Sequence, residues 1–97
     1  MEDQTMIRIL LLLTNEYIIS QIEEVGSELG EPDCKLISPY QIVDGELVKW
    51  CEEYTDQDEV MIHSDKILTL VEPNEKYFDM YSEAIGGFKR NSILTFN

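Results

Sequence analysis

One stretch decides the fold, and it reads Val60-Met61-Ile62-His63-Ser64-Asp65-Lys66-Ile67-Leu68-Thr69-Leu70-Val71-Glu72-Pro73. Two apolar runs flank a short polar break, and their β-branched residues suit the pleated surface of a sheet. Asp65 in the break is a turn signal, because an Asp side chain bonds its own backbone. Pro73 lacks the N–H group that a strand ladder needs. The stretch therefore predicts a β-hairpin with strands at about 59–64 and 67–72.

Both arms of this hairpin are apolar on both faces. In the second arm Ile67, Thr69 and Val71 are expected on one face, and Leu68 and Leu70 on the other. A small domain buries one face of such a strand against its own core, whereas the other face and any free edge need a partner. The hairpin therefore predicts a chain that meets copies of itself or another protein.

The composition limits the classes of function. The chain has 97 residues, enough for one domain with one modest core, and its formal net charge is −13. This acidic excess argues against indiscriminate binding to phosphate backbones, which depends on Lys and Arg. A single His and the lack of a phosphate loop or nucleophile motif predict that the protein is not an enzyme. We expect no cofactor and no metal.

The two cysteines and the short apolar runs bear on the compartment. Cys34 and Cys51 are too far apart for a zinc knuckle or a redox pair. The run Ile9 to Leu13 is too short to cross a membrane, and no signal peptide is recognisable. We therefore expect a cytoplasmic protein with no membrane partner and with free thiols, although two cysteines also permit one disulfide.

The first half of the chain predicts strands. Met6 to Leu13 is an almost unbroken apolar run that suits a buried strand. Tyr17 to Leu29 is ambiguous: its periodicity slightly favours a helix, but the three-residue break before it favours a hairpin. Cys34 to Val43 predicts a strand with a bulge or an edge at Pro39, and Asp44-Gly45 predicts a hairpin turn into Glu46 to Val48.

The second half predicts a helix and a tail. Trp50 and Tyr54 are expected to pack back on the sheet. Asn74 would cap a helix that runs to about Ile85. We divide the chain into a polar lead (1–5), a β domain (6–73), a C-terminal helix (74–87) and a tail (88–97). The tail is expected to be disordered or to clip onto a neighbour, and disorder is the first choice.

The strand pattern resembles the Sm-like family over roughly Met6 to Glu72, most closely its short, acidic, phage-type members. The second motif of that family is an apolar strand, an Arg-Gly pair with a polar residue, and an apolar strand that begins with Ile or Val. Here His63-Ser64 stands in place of Arg-Gly. The resemblance implies a strongly bent, five-stranded antiparallel barrel, here with a C-terminal helix. It also implies that Tyr17 to Val25 is the second strand.

In Sm-like rings, strand four of one subunit pairs with strand five of the next, so the free edges are consumed by ring closure. The resemblance therefore implies a homo-oligomeric ring of five to seven copies. The implied subunit interface consists of Val60, Met61, Ile62, Ile67, Leu68, Leu70 and Val71.

The resemblance also implies a ligand, because the matching loops of Sm-like rings hold single-stranded RNA. His63 would stack on a base, Ser64 and Asp65 would bond base edges, and Lys66 would meet a phosphate. Lys35 and Tyr40 complete the candidate nucleic-acid site. Taken alone, each has a plainer interpretation: a surface turn, a structural His, or a packed aromatic ring.

Two functions follow from these observations. The first is a ring that binds single-stranded RNA or DNA and takes part in its processing, which rests on family analogy. The second is an acidic, homo-oligomeric adaptor that binds a protein partner, which the composition favours. The family resemblance places nucleic-acid binding slightly ahead.

Overall fold

The computed structural model describes residues 6–26 and 28–86, and in this part of the chain it has six strands and one α-helix. The expectations for the lead (1–5) and the tail (88–97) lie outside the described residues. The mainly β class with a C-terminal helix is confirmed. The strands are β1 (Met6–Leu12), β2 (Tyr17–Glu24), β3 (Cys34–Val43), β4 (Glu46–Lys49), β5 (Glu59–Ile62) and β6 (Ile67–Val71), and the helix is α1 (Glu75–Ala84).

The six strands form one antiparallel sheet in the order β4-β3-β2-β1-β6, and β5 lies beside β3. Ten-residue β3 carries two short strands in series along one edge. Its 34–37 half pairs with β5, and its 40–43 half pairs with β4 across the Asp44-Gly45 turn. This arrangement explains why there are six strands instead of the expected five. Among the described residues β5 does not pair with β6, so the sheet is not closed.

Residues Tyr17–Glu24 form a strand, so the helical alternative for this segment is wrong. A tight turn decides the outcome: the Leu12 N–H donates to the Glu16 carbonyl at 3.0 Å. Asn15 adopts a φ of 71°, a left-handed conformation that Asn tolerates better than most residues. The hairpin then pairs Leu10 with Ile18 and Ile9 with Ile19, so that two apolar strands bury each other.

The predicted hairpin of β5 with β6 is wrong, although both strands exist. A 3-10 turn at Ser64–Lys66 separates them and leads the chain from the edge of β3 to the edge of β1. The Leu13 N–H donates to the Lys66 carbonyl at 3.0 Å, which fixes the start of β6 beside β1. Long-range pairing with β1 and β3 therefore prevails over the local turn signal.

The faces expected for the β6 side chains are also corrected. The β1–β6 register runs from Leu11 opposite Thr69 to Leu12 opposite Ile67, so Leu68 is an extra residue at a bulge. A bulge shifts every later side chain to the other face. Ile67 thus packs with Leu10 and Leu12, on the opposite face of the sheet from Thr69 and Val71.

The sheet separates two apolar layers. The first, the inner layer, consists of Leu10, Leu12, Ile18, Ile22, Cys34 and Leu36. The second, the helix-side layer, consists of Ile7, Ile19 and Tyr81, with Tyr40, Tyr77, Phe78 and Ile85 packed around them. Because β1 and β2 contribute alternate residues to each layer, both strands read as continuous apolar runs in the sequence.

Helix α1 begins as its sequence predicts. The Asn74 side chain accepts a hydrogen bond from the Tyr77 N–H at 3.0 Å, which is an N-cap contact. Tyr77, Phe78, Tyr81 and Ile85 then recur at helical spacing and pack on the sheet. Tyr81 has no solvent exposure, so it is the anchor of the helix.

Tyr81 also forms hydrogen bonds with the backbone at a bulge in the sheet. Ser38 and Pro39 stand opposite Ser20 at a bulge between β2 and β3, which confirms the bulge expected at Pro39. The Tyr81 hydroxyl lies 2.8 Å from the Ser38 carbonyl and 3.0 Å from the Ile37 carbonyl, and it accepts the Gln21 N–H at 3.1 Å. Polar backbone groups released by the bulge therefore find a partner on the helix.

Candidate functional site

The Ser64–Lys66 turn is held at three points. The Lys66 N–H donates to the His63 carbonyl at 3.0 Å, the Ile67 N–H donates to the Ser64 carbonyl, and the Lys66 carbonyl accepts from Leu13. These backbone bonds leave the side chains of Ser64, Asp65 and Lys66 exposed and that of His63 half-buried. The structure thus brings the four predicted ligand residues together at one exposed corner of the sheet.

Asp33 ties this corner to the β2–β3 connection. Its carboxylate accepts the Ser64 N–H at 2.8 Å and the Ser64 hydroxyl at 2.8 Å. These two hydrogen bonds, the backbone one first, lower the pKa of Asp33 below its ordinary value of 3.8. Asp33 stands in an acidic loop, and nothing in its neighbouring residues singles it out as the partner of Ser64. The contact depends on the pairing of β5 with β3, which is distant in sequence.

Lys35 does not present a free cation. Its ammonium lies 3.5 Å from a carboxylate oxygen of Glu23 and 3.5 Å from one of Glu59. Glu59 first, and then Glu23, raise the pKa of Lys35 above its ordinary value. The sequence predicted Lys35 as part of a nucleic-acid site, but its cross-strand neighbours on β2 and β5 surround it with acid.

Tyr40 lies outside the corner formed by Asp33 and the turn. It occupies the other half of β3, where its ring meets that of Tyr81 edge-on at 6.0 Å between centroids. Its hydroxyl donates to the Ala84 carbonyl at 3.3 Å. The structure therefore places Tyr40 in the helix-side layer as a packed aromatic ring, which was its alternative interpretation, and gives it no contact with His63 or Lys66.

The seven residues expected at a subunit interface divide into two groups. Val60, Ile62 and Ile67 are partly buried and pack against the inner layer of their own chain. The other four remain open to solvent, with exposed fractions of 44% for Met61, 58% for Leu68, 48% for Leu70 and 47% for Val71. In the described part of the chain, β5 pairs only with β3 and β6 only with β1, so each strand keeps one free edge.

The described residues limit two other kinds of site. Within 6–26 and 28–86, no three His, Cys, Asp or Glu side chains converge as ligands to a metal ion would. In the same ranges, no helix combines the length and the apolar character needed to cross a membrane.

The fold and the site define a small antiparallel β protein with a C-terminal helix, an acidic corner and two open strand edges. The chain belongs to a family described as "Family of unknown function (DUF6561)", whose model matches residues 5–86. No curated protein matches the chain in sequence. The family match spans the whole described sheet and helix, so the corner and the two edges both lie within the family region.

Proposed function

We propose that this protein is an Sm-like, self-assembling module that acts as an acidic adaptor for a protein partner. In this assembly, the free edge of β5 in one copy pairs with the free edge of β6 in the next. The strand path supports the proposal: β6 lies beside β1, β1 beside β2, β2 beside β3 and β3 beside β5, and a very short turn joins β5 to β6. The family resemblance likewise implies two apolar strands on either side of a short polar motif, which pair between copies.

The observation that carries the proposal is the pair of open edges. Free edges expose unpaired N–H and C=O groups, and proteins normally shorten, charge or cover them. Here the exposed side chains of the edge strands include Met61, Leu68, Leu70 and Val71, and Glu59 is the one charged residue of the two strands. Because the two edges lie on either side of one turn, pairing between copies would be head-to-tail and would close into a ring at a suitable rotation. A ring of five to seven copies is the expected form.

The charges favour a protein partner over a nucleic acid. Lys35 is held by two carboxylates, and the Arg8 guanidinium lies 3.8 Å from Glu72. Lys66 is exposed at the corner, with Asp65 beside it and the Asp33 carboxylate at Ser64. A ring would repeat this acidic corner in every copy and attract a basic protein surface.

Native mass tests the assembly. The wild-type chain should have about five to seven times the mass of one 11.3 kDa chain by light scattering after size exclusion. Leu70→Lys places a charge on the β6 edge and should shift the mass toward the monomer. The matched control is Leu29→Lys, because Leu29 is fully exposed in the β2–β3 connection and belongs to neither edge strand, so the mass should stay unchanged. A wild-type monomer at high concentration would contradict the proposal.

Binding of single-stranded RNA is the second candidate, and one observation favours it. The Asp33–Ser64 contact joins the β2–β3 connection to the Ser64–Lys66 turn. The resemblance implies that these two segments correspond to the loops that hold RNA in Sm-like rings. The test is a titration with uridine-rich and adenine-rich oligonucleotides at low and high salt. Tight, salt-sensitive binding that Lys66→Ala abolishes would favour RNA over the adaptor. Lack of binding at low salt, where attraction is strongest, would favour the adaptor.

A further inference from the structure

A groove of about 840 Å³ lies between the start of β2 and the turn that follows β4. Its lining includes Val48, Trp50 and Tyr54, which supply apolar surface, and one cation, Lys49. It also includes three acids, which we call the glutamate rim: Glu16, Glu52 and Glu53. Tyr54, which was expected to pack back on the sheet, is 84% exposed, whereas Trp50 is partly buried against the inner layer. The groove therefore combines water-exposed aromatic surface with negative charge.

The groove lies on the face of the β3–β4 hairpin that is turned away from α1. Ile42 and Leu47 stand opposite each other in the hairpin and pack in the helix-side layer. Gln41 and Val48 form the adjacent pair, so their side chains point to the other face, where both line the groove. The groove and the helix are thus separated by the thickness of one sheet.

The C-terminal segment of the same chain has the complementary chemistry. Residues 88–97 read Phe-Lys-Arg-Asn-Ser-Ile-Leu-Thr-Phe-Asn, with two cations, four large hydrophobic residues and no acid. All twenty acids of the chain and only five of its seven cations lie before residue 88. A segment of this kind matches a groove whose lining has aromatic side chains and three glutamates against one lysine.

The segment also leaves the described part of the chain close to this hairpin. The Ala84 carbonyl accepts the Tyr40 hydroxyl, and Ile85 packs with the side chains of the β3–β4 hairpin. Ten extended residues span about 33 Å, which exceeds the roughly 10 Å between packed layers of a sheet protein. The segment is therefore long enough to pass around β4, whose outer edge pairs with no described strand.

We propose that residues 88–96 dock in the groove of their own chain, where Lys89 and Arg90 face the glutamate rim and the hydrophobic residues cover Trp50 and Tyr54. This contact does not involve the β5 and β6 edges. Its failure would therefore leave the proposed assembly intact, and the reverse also holds.

Disulfide trapping in the full-length chain tests the docking. Cys51 lines the groove and is partly exposed, whereas Cys34 is buried in the inner layer. With Leu94→Cys, mild oxidation should form a link to Cys51 within one chain, seen as a faster-migrating monomer on a non-reducing gel. Cys51→Ser should abolish this link, and Leu29→Cys, in the β2–β3 connection and outside the groove lining, should form none. Lack of a link, or a link only between chains, would overturn the proposal.

The single tryptophan gives an independent readout, because Trp50 lines the groove. Lys89→Glu with Arg90→Glu should detach the segment, shift Trp50 emission to longer wavelength and increase acrylamide quenching about twofold. Glu52→Lys with Glu53→Lys in the same chain should restore the wild-type spectrum, since the charges are exchanged. Glu52 and Glu53 are exposed, and Lys89 and Arg90 lie outside the described sheet and helix, so circular dichroism should report an unchanged fold. A Trp50 spectrum that none of these variants alters would contradict docking in the groove.

Discussion

Two regions of the sheet have the same physical problem but differ in how it is met. They are the bulge between β2 and β3, and the free edges of β5 and β6. At both places the sheet leaves backbone polar groups without a ladder partner. At the bulge, Tyr81 from α1 supplies the missing contacts and is itself fully buried. At the edges, no described residue covers the strands, and large hydrophobic side chains stay exposed.

The difference separates what this chain completes alone from what it leaves for a partner. A buried unpaired N–H or C=O group costs about 1–3 kcal/mol, so the bulge is tolerable only with an internal partner such as Tyr81. The free edges carry no such cost while water reaches them, but they attract other strands. We therefore expect changes at the bulge to affect the stability of one chain, and changes at the edges to affect association.

Tyr81→Phe should have the largest effect, because it keeps the ring and removes the hydroxyl that bonds the bulge. The expected loss in free energy of unfolding is about 1–3 kcal/mol, measured by denaturant titration with circular dichroism. Tyr77→Phe is the matched control, since Tyr77 is half-buried on the same helix and should change stability by less than about 0.5 kcal/mol. Equal losses of stability from the two substitutions would show that the Tyr81 hydroxyl does not stabilise the bulge.

The ionisation of Tyr81 tests the same contact by pH. Burial raises the pKa of Tyr81 from 10.0 to about 12. Because the folded-state pKa is higher than that of the unfolded chain, the stabilisation is complete below pH 10 and is lost as the pH rises through about 12. In a titration followed by absorbance at 295 nm, one of the five tyrosines should ionise late, and Tyr81→Phe should remove that step. A wild-type titration without a late step would place Tyr81 in contact with water.

Local signals in the sequence predicted much of the fold. Asn74 as a cap, Asp44-Gly45 as a turn and Pro39 at a bulge were all found from neighbouring residues, because the cause of each lies within a few positions. The hairpin expected for β5 and β6 failed, since their true partners, β3 and β1, lie more than 20 residues away. The spacing of Tyr77, Tyr81 and Ile85 is typical of one face of a helix, but it does not reveal that the Tyr81 hydroxyl bonds the bulge.

The candidate site was predicted less completely than the fold. Ser64 to Lys66 was recognised as a turn, because its polar residues interrupt two apolar runs. The neutralisation of Lys35 and the Asp33–Ser64 contact arise between strands and loops distant in sequence, so no spacing rule reveals them. The same applies to the groove at Trp50, whose two sides come from Glu16 and the turn after β4.

Asp33→Ala should have a smaller and more local effect than Tyr81→Phe. It removes both hydrogen bonds to Ser64, so the amide of Ser64 should exchange with solvent several-fold faster, as measured by NMR. Ser64→Ala keeps the backbone bond and serves as the graded control, read from the amide of residue 64. An unchanged exchange rate in Asp33→Ala would show that the corner is held without this contact.

The same contact predicts a pH dependence of the opposite sign to that of Tyr81. The pKa of Asp33 is lower in the folded chain than its ordinary value of 3.8. The contact is therefore fully present above about pH 4, and it is lost as the pH falls through the lowered pKa. Protection of the Ser64 amide should decrease in this acidic range in the wild type but not in Asp33→Ala. If the ratio of the Ser64 amide exchange rates in Asp33→Ala and in the wild type did not change with pH, Asp33 would not be the group that protects this amide.

Lys35→Met should have the smallest effect on folding, because its ion pairs with Glu23 and Glu59 are partly exposed and screened by water. If Lys35 is held by these carboxylates, its loss should also leave any oligonucleotide binding unchanged, whereas Lys66→Ala should reduce it. A fluorescence anisotropy titration compares the two variants. A larger loss of oligonucleotide affinity in Lys35→Met than in Lys66→Ala would show that Lys35 does contact the nucleic acid.

The claim that the edges of β5 and β6 pair between copies is tested most directly by hydrogen exchange at several protein concentrations. Edge pairing predicts that amides in 59–62 and 67–71 become more protected as concentration rises, in step with native mass, and that the Gln21 amide at the bulge is protected at every concentration. Edge amides that exchange at one rate throughout, in a protein that stays at 11.3 kDa, would contradict it.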